Sequence, residues 1–524
     1  MAHYDQSGLT AAMLRPEFYP DRPGRVELRQ THISYVFLAG TRVYKIKKPL
    51  QLPFLDYSTL SRRRYFCGEE VRLNRRLAPN TYRGVMAISR VDGTYRLAED
   101  DAKGGQIVEY AVAMNRLPDE RMLSALLRRN AAETSHVLAI AEKLVAFHQK
   151  ASREKAPIYG SPQAIAANVR GNFQETRRFI DATISRAMFE SIEAYSEAFL
   201  REQGALLGRR VAQGRVRDGH GDLRAEHICL VDDIEIYDCV EFNESLRYSD
   251  VASETAFLSM DLDFAGAANL SDQFAGAYAA TAGDEDLPAL LPFYKCYRAY
   301  VRGKVESLKS DEAEVAARER RQASLQALRY FLLALRYAKR PSRPTLLVVC
   351  GMVATGKSTV AQLLSARTGF PVFDSDHARK QLAGITSTAH AGEPYQDGIY
   401  APEFTRRTYE SLLEAANNRM ASGEGAVIAA TFADTEFRRR AVELADRLQV
   451  PLLFVECRSD EDTIKQRLRH RERDPNETSD ATWAIYRRMR DEFRPFSELP
   501  DRYHFVVETG HRLLPDLTAL EERL

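Results

Sequence analysis

From about residue 27 apolar and polar positions alternate in "ELRQTHISYVFLAGTRVYKIKK", a period of two that predicts strands turning at "AGT". Residues 58–77 begin with a Ser/Thr cap, then carry apolar residues at helical spacing until "APN" stops them. A second β-rich stretch covers about 82–117, and helical spacing follows over 120–212, interrupted near "APIYGSP". "GHGDLRAEHICLVDDIEIYDCVEFNE" then reads as a loop, a short strand, a "DD" turn and another short strand. Helical text resumes over about 250–339 and ends in "AKRPSRP", which marks a boundary near 340–344. Beyond it strands are predicted at 345–350, 371–373, 426–430 and 451–456, with helices at 357–367, between 373 and 426, at 434–448 and at 460–470. That alternation predicts a parallel sheet wrapped by helices.

Length changes the picture first: 524 residues exceed one ordinary core and call for two or three domains. Hydrophobic residues at 44% and charged residues at 28% belong to a globular chain. The 74 basic and 73 acidic residues leave a net charge of +1, which argues against nucleic acid as a partner and against an anionic membrane surface. Six scattered cysteines form no CxxC pair, and several lie in apolar runs such as "TLLVVC". They read as buried hydrophobes in a reducing compartment. The first twenty residues lack the apolar core of a signal peptide, and no stretch approaches the ~20 apolar residues that span a bilayer. The expected location is the cytoplasm, with no membrane partner; no oligomeric state follows.

The chemistry of the last third is carried by "GMVATGKST", where Gly351, Gly356, Lys357 and Ser358 satisfy G-x-x-x-x-G-K-[ST]. Such a loop, with Thr355 and Thr359 beside it, curls backbone N–H groups around phosphate oxygens. Lysine reaches the outer phosphates, and the serine hydroxyl serves Mg2+. "FDSDHARKQL" adds Asp374 and Asp376 at a strand's carboxyl end, with Arg379 one helical turn on and Lys380 next to it. Asp376 is the candidate base and Arg379 the candidate neutraliser of a transferred phosphoryl group. An Asp-rich helix cap is the structural alternative. Arg467, Arg469, Arg471 and Arg473 follow, with Arg467 and Arg471 four residues apart on one helical face, either a lid over phosphates or a solvated basic face. Residues 345 to about 510 resemble small-molecule P-loop kinases of the gluconate, shikimate and polynucleotide kinase type. Ala429 stands in "AVIAATF" where that type often carries an aspartate, which leaves Asp374 or Asp376 to compensate.

In the front half, Asp222 follows His220 in "HGDL", and Asp238 lies sixteen residues later. The first aspartate would deprotonate an acceptor hydroxyl and the second hold Mg2+ on ATP phosphates. Lys45, on a predicted strand, and Glu70, on the helix after it, would grip the α- and β-phosphates. Lys47 shares the face of Lys45, Lys48 is adjacent, and Glu69 competes with Glu70. His32 and Ser34 lie in the first hairpin, within possible reach of phosphates. This set resembles the aminoglycoside phosphotransferase-like branch of the protein-kinase fold over roughly 25–305. His227 occupies the place of the usual asparagine metal ligand; Mg2+ prefers oxygen, so His227 either ligates or hydrogen-bonds the loop.

"THISYVFL", "VYKIKKP", "EVRLNRRLAP" and "YDCVEFNESLRYSDVASE" further resemble signature stretches of a bacterial family that fuses such a domain to a P-loop ATPase or kinase domain. The resemblance implies an α+β protein-kinase-like N-terminal domain of two lobes (1–310), a helical connector (311–344) and an α/β P-loop kinase domain with a parallel sheet (345–524). It implies a bifunctional ATP-dependent phosphotransferase using ATP and Mg2+ on hydroxyl groups of small molecules. Two alternatives stand beside it: a nucleotide-controlled regulatory ATPase, and a polynucleotide-kinase-like activity in the C-terminal half.

Overall fold

The alternation of the first hundred residues becomes a six-stranded antiparallel sheet. Its strands are β1 (Val26–Gln30), β2 (Ser34–Ala39), β3 (Arg42–Lys47), β4 (Tyr82–Val91), β5 (Thr94–Ala98) and β6 (Gln106–Asn115), in the spatial order β1-β2-β3-β6-β4-β5. In the computed structural model the described residues are 6–52, 55–98, 105–339, 343–385, 398–471, 481–510 and 513–524. They divide into two compact units, residues 1–168 with 200–295 and residues 169–199 with 296–524.

Both faces of the first sheet are covered, because side chains alternate between them. Phe37, Tyr44 and Ile46 pack with Leu9 and Met13 of α1 (Ser7–Met13). Leu38, Val43 and Val112 face the other way, against Cys67 and Val71 of α2 (Leu60–Asn74). Lys45 and Lys47 share the face of Val43, so the strand period alone directs both toward α2. Thr59 caps α2 by accepting from the Arg62 amide.

The expected long helical stretch is broken more often than at "APIYGSP": helices end at Arg128, Lys150, Tyr159 and Thr176 before resuming. In the first unit α3 (Thr134–Lys150), α4 (Val251–Phe264) and α5 (Ala268–Ala282) pack together around a short ribbon of β7 (Val216–Asp218) and β8 (Tyr248–Asp250). α4 is buried nearly all round, which suits a helix at the centre of a helical layer. A sheet with one crossing helix, followed by a mainly helical layer, is the protein-kinase-like architecture.

The second unit contains a five-stranded parallel sheet in the order β10-β11-β9-β12-β13. Its strands are β9 (Leu346–Cys350), β10 (Val372–Asp374), β11 (Ala426–Ala429), β12 (Leu452–Arg458) and β13 (His504–Glu508); four match the sequence reading and β13 adds a fifth. Helices α6 (Lys357–Thr368), α7 (Ser375–Leu382), α8 (Pro402–Ala421), α9 (Thr435–Leu448) and α10 (Glu461–Arg471) alternate with them. One face of the sheet packs Val348, Ile428 and Phe454 against Tyr409 and Leu412 of α8 and Ala441 and Leu444 of α9. Central β9 is wholly buried, so its carboxyl end delivers the following loop to the sheet edge where ligands collect. No helix among the described residues is long and apolar enough to cross a membrane, and all six cysteines are free and buried.

Candidate active sites

In the first unit β3 and α2 bring two lysines to one carboxylate. Lys45 Nζ lies 2.9 Å from Glu70 Oε1 and 2.7 Å from Asp238 Oδ1, while Lys47 Nζ lies 2.7 Å from Glu70 Oε2. Lys47 also binds Glu241, which accepts from the Tyr57 hydroxyl at 2.5 Å. Burial opposes charge on Lys45, yet Asp238 and Glu70 outweigh it and hold the ammonium well above its ordinary range. Burial likewise pushes Glu70 up, but Lys45 and Lys47 prevail and hold it ionised below the usual carboxylate range. Glu69 points outward to Arg72, so α2 turns only Glu70 to the lysines.

Asp238 adopts a left-handed backbone, φ +63°, which asparagine and aspartate tolerate better than other side-chain-bearing residues. Its amide donates to the Tyr82 hydroxyl. Burial raises its carboxyl, but Lys45 and then His227 dominate and hold it below the ordinary range. Lys45 and Lys47 face three carboxylates (Glu70, Asp238 and Glu241), leaving one negative charge over. Asp238 is the exposed member, its side chain 41% accessible. An oxygen donor with surplus negative charge fits a divalent cation carried by nucleotide phosphates. His227 donates through Nδ1 to the Asp222 carbonyl, 2.9 Å away, and turns Nε2 to within 3.6 Å of Asp238 Oδ2. It therefore bridges the two aspartates, with one ring nitrogen committed to the loop.

Asp222 is gripped on both oxygens by Arg224, at 2.9 and 3.0 Å, a bidentate pair. The loop beneath it is held by Glu254 of α4, which accepts the amides of His220 and Gly221, each at 2.6 Å, and faces His148 Nε2 at 2.7 Å. Burial raises Glu254, but His148 and the loop amides outweigh it and bring its carboxyl down to about 2. His220 is buried, which lowers it to about 4 and keeps the ring neutral. A Cβ on Gly219 would stand 2.3 Å from Glu254 Oε2, so the close approach requires glycine there. Lys47, Tyr57, Arg224, Glu241 and Glu254 thus belong to the site without having been singled out as site residues. Glu241 and Glu254 lie inside "YDCVEF" and "SDVASE", but nothing in their spacing says which way they face.

In the second unit Gly351 has φ +121° and a Cβ there would fall 2.5 Å from the Cys457 carbonyl oxygen; Gly356 has φ +96°. Both glycines are required by the loop's path. Thr355 Oγ1 donates to the Met352 carbonyl, and Lys357 Nζ to the same oxygen at 2.8 Å. Burial lowers Lys357, with Asp376 and then Cys457 opposing it and Arg471 reinforcing it. Asp376 and Arg471 therefore both act on the Lys357 ammonium, with opposite sign. Ser358 and Thr359 open α6, Ser358 exposed.

Asp374 stands in register with Ala429 across β10 and β11, and its Oδ1 caps α7 by accepting the Asp376 and His377 amides. Burial, then the neighbouring Asp376, raises Asp374 to about 6. The helix-cap alternative thus describes Asp374. Arg379 is engaged elsewhere: it donates to the Ile399 carbonyl at 2.6 Å and to Thr405, and stacks over Tyr400. Arg467 braces the loop, donating to the carbonyls of Ala354 and Thr509 and to the Thr509 hydroxyl. Arg469 is exposed, and Arg473 lies outside the described residues. His32 is exposed at its hairpin, and Ser34 is buried. Among the described residues no group of three or more His, Cys, Asp or Glu could hold a metal ion.

The AAA domain family matches residues 346–496. Among solved structures, a choline/ethanolamine kinase family protein from Mesorhizobium loti is 13% identical, covering 69% of this chain and 99% of that one, with a TM-score of 0.38. The aminoglycoside phosphotransferase APH(3'')-Id from Streptomyces rimosus is 16% identical, covering 57% and 99%, with a TM-score of 0.35. A gluconokinase from Sinorhizobium meliloti is 22% identical, covering 35% and 96%, with a TM-score of 0.24. Two curated relatives, the uncharacterized proteins Mb2027c of Mycobacterium bovis and Rv2004c of Mycobacterium tuberculosis, are each 32% identical over 449 residues, 84% of this chain and 86% of theirs. The chain therefore belongs to the bacterial family of these two proteins, and its residues 346–496 match the AAA domain family.

Proposed function

We propose that the chain is a bifunctional ATP-dependent phosphotransferase, with one nucleotide site in its kinase-like domain (1–310) and one in its P-loop domain (345–524), acting on hydroxyl groups of small molecules. The carrying observation is the convergence of Lys45, Glu70 and Asp238 beside Asp222. Lys45, oriented by Glu70, grips the inner phosphates. Asp238 holds Mg2+, which supplies charge neutralisation on the transferring phosphoryl group when bound. Asp222, aimed by Arg224, orients the acceptor hydroxyl and takes its proton. In the second domain the loop amides and Lys357 cradle the phosphates, the Ser358 hydroxyl serves the cation, and Asp376 takes the acceptor proton. Arg471 faces the phosphates, while Arg467 and Arg379 act as positioning residues for the loop and for the segment 399–405.

A regulatory reading, in which one half binds ATP without transfer, has its own support: both oxygens of Asp222 are occupied by Arg224, and Ala429 offers no carboxylate beside Asp374. Calorimetric titration with AMP-PNP and Mg2+ separates the cases from a failure of both. Two equivalents are expected for the wild type and one each for Asp238→Asn and Lys357→Ala; a single equivalent in the wild type removes the two-site reading. Mass spectrometry of a metabolite extract incubated with ATP and the protein then distinguishes transfer from binding, since Asp222→Ala and Lys357→Ala are expected to abolish different phosphorylated products.

A further inference from the structure

A cleft of about 530 Å³ opens in the helical layer of the first unit, between α3, α5 and the strand β7. Its rim carries Arg209, Arg215 and Arg217, and its floor is His148 and Tyr278. Arg215 and Arg217 stand two residues apart on one extended run, so both point to the same side. Among the described residues their guanidinium groups hydrogen-bond only to main-chain oxygens: Arg215 donates to the carbonyls of Ala282 and Gly283, and Arg217 to that of Ala151. Elsewhere in this unit the well-buried arginines have carboxylates. Arg63 takes Glu109, Arg210 takes Asp250 and Asp284, Arg224 takes Asp222, and Arg247 takes Asp218.

Half-buried cations without an acidic partner cost free energy, and crowding like charges adds to it. Burial first, then Arg153 and Arg215, lowers Arg217 below the ordinary guanidinium range. Of the acidic residues on the far wall, Asp284 is consumed by Arg210, while Glu285 and Asp286 make no ion pair among the described residues with the three arginines. Forked guanidinium groups that lack a carboxylate, in a cleft of small-molecule size, suit a planar or tetrahedral anion. The floor adds a route inward. His148 Nδ1 meets the Tyr278 hydroxyl at 2.7 Å, and its Nε2 meets Glu254, the carboxylate that holds the amides of His220 and Gly221.

We propose that this cleft binds a small anionic metabolite, bearing phosphate or carboxylate, through Arg215 and Arg217, and that its occupant adjusts the Asp222 loop through His148 and Glu254. The second half of that statement rests on the phosphotransferase reading of Asp222; the binding itself does not. The test uses the full chain saturated with AMP-PNP and Mg2+, so that the nucleotide sites are filled. Inorganic phosphate and, separately, succinate are titrated by calorimetry. One additional equivalent of at least one probe is expected. Phosphate alone assigns a phosphorylated ligand, and succinate alone a carboxylate.

The paired variant Arg215→Gln/Arg217→Gln is expected to weaken that equivalent by roughly tenfold or more while AMP-PNP binds as before. Should the pair misfold, Arg209→Gln, at an exposed position, is expected to weaken it about threefold. Binding of neither probe, or equal affinity in the soluble variants, overturns the cleft. Hydrogen exchange of the 219–222 amides reads the coupling: a change of rate on anion binding is expected, and an unchanged rate overturns the coupling without touching the assignment of Asp222.

Discussion

One carboxylate, Glu70, serves Lys45 on one oxygen and Lys47 on the other, in surroundings that leave Glu70 and Lys47 with no solvent access. Removing either lysine would strand charge where burial is costly, so the pair acts as a unit. Asp374 and Asp376 show the opposite case, two carboxylates with too little positive charge between them. Asp374 is raised to about 6 by burial and by Asp376. A raised folded-state value means that this carboxyl favours the folded form when protonated; its contribution is complete below its unfolded value near 3.8 and is lost as pH rises through about 6. In Asp376→Asn the Asp374 carboxyl is expected to titrate lower, by carboxyl 13C chemical shift. An unchanged midpoint would leave burial as the sole cause.

At the scale of elements, the Asp222 loop is held less by its own residues than by α4. Glu254 sits low, at about 2, because His148 and two amides favour its ionised form over the cost of burial. A depressed value gives stability present above the unfolded value near 4.5 and lost as pH falls toward 2. Glu254→Gln keeps the shape but gives up the charge, and is expected to destabilise the first unit by about 2–3 kcal/mol. Denaturant titration checks this, and hydrogen exchange at residues 219–222 should rise with it.

Local sequence made much of this legible. The strand period placed Lys45 and Lys47 on one face, and the glycine spacing of 351–356 set the phosphate loop. All six strands and helices expected between 357 and 470 with stated bounds (helices at 357–367, 434–448 and 460–470, strands at 371–373, 426–430 and 451–456) lie within two residues of those observed. What stayed hidden depends on distant packing: the turn of Glu254 toward Gly219, the reach of Glu241 to Lys47 and the commitment of Arg379 to Ile399. An i, i+4 count places Arg467 on the face of Arg471, yet it is Thr509, the residue after β13, that draws Arg467 to the loop's base.

For the whole molecule, two units with separate cores are expected to unfold in separable steps, and nucleotide should stabilise each through its own site. At a concentration near 100 times its dissociation constant, a ligand adds about 2.7 kcal/mol to the fold that binds it. Differential scanning calorimetry of the wild type with AMP-PNP and Mg2+ should move both transitions upward. In Lys357→Ala only the transition of the first unit should move. A shift of both in that variant would mean that Lys357 does not govern the second site.

The double duty of Glu70 also bears on how such a chain can change over generations. Loss of Lys47 would leave Glu241 a buried carboxylate without its cation, whereas Glu70 would still have Lys45, so a change at Lys47 favours a compensating change at Glu241. Relatives that have lost Lys47 should therefore have lost Glu241 as well, exchanging the buried cation and its mate for neutral side chains in one inherited step.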